Sequence, residues 1–229
     1  MNLPTWVSAI RIVHISFGMV ALFVAPAAML TVKGGQPHRR WGKIYFWSMA
    51  VVAVTAIVLA FWRPVIFLAF VAVFSFYFSF SGYRSLIIKR SVPGAIDWIA
   101  VALMILGGIG LLTMGLLHPA NLPLPAPIVS IVFGTAGITT GLQDLYRFLK
   151  PPTDKNWWWF THMSGMLASY IATLTAFSAT NFRFLPTAVA WLWPTVIGVP
   201  VISVWVRYYR KRFRRKEARH MMEGMTGAA

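Results

Sequence analysis

The chemistry open to this chain rests on few side chains: five histidines and five acidic residues in 229, and no cysteine. The lack of thiols excludes disulfides, thiolate metal sites, haem attached through cysteine and cysteine nucleophiles. Imidazoles and carboxylates remain, and their positions sort them by depth. His14 lies among Ile12, Ile15 and Phe17, whereas His38 sits in a basic turn with Arg39, Arg40 and Lys43. About sixteen residues separate His14 from the end of its apolar segment, roughly 24 Å at 1.5 Å per helical residue, so His14 and His38 cannot share one ion.

The richer constellation is the one at the depth of His38. It comprises His38, His162 and Asp144, with Tyr83, Arg84, Asp97 and Arg147 at the same edge. Two imidazoles and a carboxylate can hold zinc or a related divalent ion and leave a position for water. Alternatively, His38 and His162 are the two axial ligands of a haem b, with Gly42 and Gly165 giving room for the macrocycle.

Each of these residues also has a plainer reading. His38 suits a lipid-headgroup edge, His162 an interhelical hydrogen bond, Asp144 a salt bridge with Arg147 and Asp97 a helix N-terminus. His14 is the least easily explained this way, because a ring among aliphatic residues needs a partner. Gly18, Ala21 and Ala25 continue its face, so it points into a bundle. His118 and His220 read as exposed and idle. No Gly-rich phosphate loop, HExxH pair, GxSxG elbow or nucleophile triad is present.

The composition dictates what must position these groups. With 58% hydrophobic and 11% charged residues, and a mean hydropathy of +0.68, the chain has more apolar surface than one soluble domain of this size can bury. It belongs in a bilayer. Apolar runs of about 20 residues are transmembrane helices, because only a helix satisfies its own backbone in hydrocarbon.

The pattern predicts an all-α bundle of seven such helices: Thr5 to Val32, Trp41 to Trp62, Val65 to Ile88, Ile96 to Leu117, Ile128 to Leu149, Trp157 to Thr180 and Thr187 to Tyr208. Residues 1–208 form this transmembrane domain and residues 209–229 a basic cytoplasmic tail. The start, MNLPTWVSAIRIV, has no charged leader with a small-residue cleavage site, so the first helix is expected to be retained. Pro194 and Pro200 predict kinks in the seventh helix.

Two helices carry small-residue faces. Ser130, Gly134, Gly137, Gly141 and Asp144 mark the fifth, and His162, Gly165, Ser169, Ala172 and Ala176 the sixth; such stripes let backbones approach closely. Trp157, Trp158 and Trp159 read as an interfacial belt.

The net charge of +16 is a matter of topology rather than of nucleic-acid binding. Lys33 to Lys43, Arg84 to Arg90, Arg147 to Lys155 and the tail share one side, and only Arg11, Arg63 and Arg183 fall on the other. That bias predicts an outside N-terminus and a cytoplasmic C-terminus. The partners expected are the lipid bilayer and, at the basic tail, anionic lipids; a homo-oligomer is left open.

Taken together, His14-x3-Gly18, then Pro37 through Tyr45 (PHRRWGKIY), then Ser81-Gly82-Tyr83-Arg84, then Gly141 through Asp144, then His162 through Ala172 resemble a bacterial family of multi-spanning membrane proteins known as a domain of unknown function. The resemblance runs from about His14 to Asn181, and the His-Arg-Arg-x-Gly segment is its most specific part. It implies a cytoplasmic (inner) membrane location and draws attention to His14, His38, Tyr83, Arg84, Asp144 and His162; it carries no activity. Relatives have a basic residue near the histidine of the sixth helix, where this chain has Thr161 and Met163.

Three functions follow as expectations. The leading one is a haem or divalent-metal protein with a redox role, its cofactor held by histidines among His14, His38 and His162. The second is a zinc-dependent membrane hydrolase of lipid-like substrates built on His38, His162 and Asp144, weakened because no two histidines lie one helical turn apart. The third is a small-molecule carrier or sensor whose pocket is lined by some of the 17 Phe, 11 Trp and 7 Tyr.

Overall fold

The computed structural model describes residues 4–62, 65–117 and 127–226, with the side chains of 216–222 and 224–226 left out. Arg63, His118 and loop residues 119–126 lie outside the described residues, as does the side chain of His220. Seven α-helices account for nearly all of what is described, and no strand occurs among these residues: α1 (Thr5–Leu30), α2 (Gln36–Trp62), α3 (Ile66–Ile88), α4 (Ala95–Leu117), α5 (Pro127–Leu149), α6 (Trp157–Asn181) and α7 (Thr187–Thr226).

Six of the seven are long and apolar enough to cross a membrane. The protein is therefore a multi-pass membrane bundle. α6 is the helix that falls short of the expected seven spans. Its sequence spends positions on tryptophan, histidine, serine and threonine, and it packs among α1, α3 and α7. Those neighbours give its polar atoms protein partners instead of lipid, so it needs less apolar surface of its own.

The turn between α1 and α2 corrects a boundary. α1 ends at Leu30, where the last carbonyls of any helix lack intrahelical donors. Here the Thr31 hydroxyl donates to Ala28 at 2.8 Å and the Lys33 ammonium to Met29. Gly34, at φ +77°, turns the chain through the left-handed region that glycine tolerates. α2 then starts at Gln36 instead of Trp41, with Pro37 in its first turn, where a missing N–H costs nothing. His38, Arg39 and Arg40 are thus on a helix and not in the turn.

α7 continues for 40 residues to Thr226, with Pro194 and Pro200 inside it, so the basic segment after Tyr208 extends the seventh helix.

α3 and α6 form a central pair. On one side α1 and α2 close a four-helix group around Ala21, Ala25, Tyr45 and Met49; on the other α4, α5 and α7 surround a second core of Phe67, Phe74, Met104, Leu111 and Phe133. Glycines set the tightest contacts. A Cβ on Gly165 would stand 2.7 Å from the Phe78 carbonyl oxygen and 2.9 Å from the Gly82 Cα, so α3 and α6 meet backbone to backbone. The small stripe of α5 does the same against α4, where a Cβ on Gly134 would lie 2.5 Å from the Leu112 nitrogen. In lipid, where hydrophobic burial gives no preference for protein over acyl chain, such close packing holds helices together.

Candidate functional site

His38 and His162 come together across the α2–α6 side of the four-helix group. Their ring centroids are 6.2 Å apart and their planes stand at 81°. Each ring is fixed by its Nδ1. His38 Nδ1 lies 3.0 Å from the Ala28 carbonyl oxygen at the end of α1, and His162 Nδ1 lies 2.9 Å from the Gly82 carbonyl oxygen on α3. A carbonyl can only accept, so in both rings Nδ1 carries the proton and Nε2 bears the lone pair. No described residue hydrogen-bonds either Nε2. A backbone carbonyl behind Nδ1 is the usual second partner of a metal-ligating imidazole.

The sequence brings these rings here for local reasons. The turn at Gly34 folds α2 back along α1, which sets His38 against the carbonyl that α1 leaves open. The Gly82–Gly165 contact brings α6 close enough to α3 for His162, one turn before Gly165, to reach a helical carbonyl. Gly165 is therefore filled by α3 and opens no space for a macrocycle. Gly42, one turn beyond His38, is different: nothing lies within 4 Å of where its Cβ would stand.

Asp144 does not join the histidines. Its Oδ1 pairs with Arg147 at 2.8 Å, and its Oδ2 accepts from the Tyr77 hydroxyl at 2.6 Å and the Ser81 hydroxyl at 2.8 Å. The proposed third metal ligand is thus consumed, and among the described residues no three His, Asp or Glu side chains gather as a metal site.

Asp144 belongs instead to a second cluster with Arg84, Asp97 and Arg147. Arg84 grips Asp97 with two bonds of 2.6 Å, and Asp97 also accepts from the Gly94 N–H at 2.8 Å, capping α4. Arg147 completes its contacts on Thr161 at 2.7 Å. The two pairs line a narrow crevice of about 20 Å³, room for a water and not for a substrate. With Asp97 only 1% exposed and every carboxylate oxygen paired, this cluster is a neutral clamp across α3, α4, α5 and α6.

His14 and Tyr83 stand apart from both. His14 Nδ1 donates to the Thr55 hydroxyl at 2.9 Å, since that hydroxyl spends its own proton on the Val51 or Val52 carbonyl. Tyr83 stacks on Phe46, with ring centroids 4.5 Å apart.

Several polar partners were not singled out from the sequence. Tyr77, Ser81 and Thr161 complete the clamp, and Thr55 answers His14. The fully buried Tyr45 hydroxyl donates to Ser169 at 2.8 Å, two turns from the imidazole pair on both α2 and α6. The spacing Tyr77, Ser81, Arg84 does put all three on one face of α3, and that pattern was the available signal.

Comparison with family models, with curated proteins and with solved structures gives no match. Fold and site together define the class, an all-helical multi-pass membrane protein with a two-histidine locus and a separate charge-paired clamp.

Proposed function

We propose that His38 and His162 ligate one redox cofactor, a haem b iron or a single transition-metal ion, and that the protein transfers electrons at the membrane. The observation that carries this reading is the imidazole pair itself: two rings from different helices, 6.2 Å apart, each pinned through Nδ1 with Nε2 left over.

The two rings stand close enough for one metal ion to reach both, and the space where a Gly42 Cβ would stand is open. A haem iron or transition-metal ion held by both imidazoles would supply electron transfer.

The hydrolase reading loses its carboxylate to Arg147, Tyr77 and Ser81. We further infer from the one-sided distribution of basic residues that the N-terminus is outside and the imidazole pair and C-terminus face the cytoplasm. The resemblance seen in the sequence supports a bacterial cytoplasmic (inner) membrane as the location.

The test is an absorption spectrum with iron, copper and zinc analysis on detergent-solubilised protein expressed with haem supply. One Soret-absorbing haem per chain, lost in His38→Ala and His162→Ala, is expected. Protein with neither haem nor stoichiometric metal overturns the reading.

A further inference from the structure

A surface independent of the histidines has the profile of a particular ligand. At 40 residues, α7 is about 60 Å long, twice the roughly 30 Å hydrocarbon thickness of a bilayer. Its basic portion is not loose. Tyr209 and Phe213 pack on Trp159 at 4.8 and 5.2 Å between centroids, and the Arg210 guanidinium lies 5.2 Å from the Phe160 ring. These contacts hold Arg207 to Arg215 level with the first turn of α6, where Trp157, Trp158 and Trp159 mark the height of a membrane interface.

Among the described residues the opposite face of α7 is exposed, and its chemistry changes along its length. Val201, Val204 and Trp205 are exposed and apolar; Tyr208 follows, 57% exposed; Lys211, Arg212 and Arg215 come next, all exposed. Steps of three and four residues align them on one side of the helix. The change from apolar to cationic falls at the tyrosine, a residue whose apolar body and polar tip suit that boundary.

We propose that this face binds an acidic phospholipid, its acyl chains along Val201, Val204 and Trp205 and its phosphodiester on Lys211, Arg212 and Arg215. A zwitterionic lipid brings its own ammonium group to compete with those cations, so the face selects for net negative headgroups. Nucleic acid would match the charge but leave the apolar half unexplained.

The test uses the full chain in mixed micelles, titrated with phosphatidylglycerol or phosphatidylcholine and read by native mass spectrometry of bound lipid. The unmodified protein should prefer phosphatidylglycerol about tenfold or more, given about 1 kcal/mol per basic residue at the surface. K211Q/R212Q/R215Q should abolish that preference, and R90Q/K150Q/K155Q, which removes the same charge from exposed positions at the same end of the bundle, should keep it.

Equal binding of the two lipids by the unmodified protein, or equal loss in both variants, overturns the proposal, as does displacement of bound phosphatidylglycerol by a short oligonucleotide. As a check that needs no variant, raising salt from about 0.1 to about 1 M, which shortens the screening length from about 10 to about 3 Å, must weaken the preference in the unmodified protein. An unchanged preference sinks it.

Discussion

His162 and Gly82 join α6 to α3 ring to backbone, the imidazole Nδ1–H reaching the glycine carbonyl at 2.9 Å, three residues before Gly165, whose contact with Gly82 brings the two backbones together. The candidate ligand and the tightest helix crossing in the four-helix group are thus one construction.

Disturbing that crossing should act on both properties. Gly165→Ala puts a methyl 2.7 Å from the Phe78 carbonyl oxygen, which backbone cannot yield cheaply. We expect a loss of about 1–3 kcal/mol in unfolding free energy, together with reduced cofactor content. Gly42→Phe, placed in open space, should leave thermal unfolding nearly unchanged and still exclude a flat cofactor. Melting curves in detergent and cofactor-to-protein ratios measure the two effects separately.

The charge clamp should be stability without chemistry. Asp97→Ala removes the bidentate partner of the partly exposed Arg84 and the cap on the Gly94 N–H, a loss of about 1–3 kcal/mol. Replacing both, Arg84→Met with Asp97→Leu, should recover much of that. A double-mutant cycle on unfolding midpoints reads the coupling, and additive single losses would refute the pairing.

Asp144 distinguishes the redox reading from the hydrolase. Since its oxygens are already bound to Arg147, Tyr77 and Ser81, Asp144→Asn should lower stability but leave metal or haem per folded chain unaltered. A cofactor content that falls with this variant as it does with His162→Ala would restore the carboxylate to the site.

Tyr45→Phe tests the buried hydroxyl that ties α2 to α6. It removes one donor from Ser169 and should cost about 1–2 kcal/mol. If Tyr45→Phe and Tyr45→Phe/Ser169→Ala unfold at the same midpoint, the Ser169 hydroxyl contributes only through Tyr45, whose hydroxyl also lies 3.3 Å from that of Thr173; a further large drop in the double variant argues that Ser169 has another partner.

Much of the architecture was legible because each span announces itself by length and by what interrupts it. The Gly34–Gly35 turn, the Leu149–Lys150 edge and the tryptophan run at 157 all fall at helix ends. The start of α2 is hard to read because a basic stretch after two glycines looks like loop, whereas Pro37 fits a first helical turn. His38 and His162 were paired by depth, which sequence spacing does reveal. The partners of Asp144 were less legible: Arg147 is one turn away on the same helix, but Tyr77 and Ser81 come from α3, and only the α3–α5 packing selects them over the histidines. Gly165 looked like free volume because a missing side chain reads the same whether a helix or nothing fills the gap.

Sharing α3 and α6 between the two halves has a mechanical consequence. Where Gly82 and Gly165 put the two backbones in direct contact, no side chain is left to re-pack, and sliding or parting of α3 and α6 is resisted there. A group that enters beside His38 is therefore expected to be admitted on the α1–α2 side, where Gly42 is open, and not between α3 and α6.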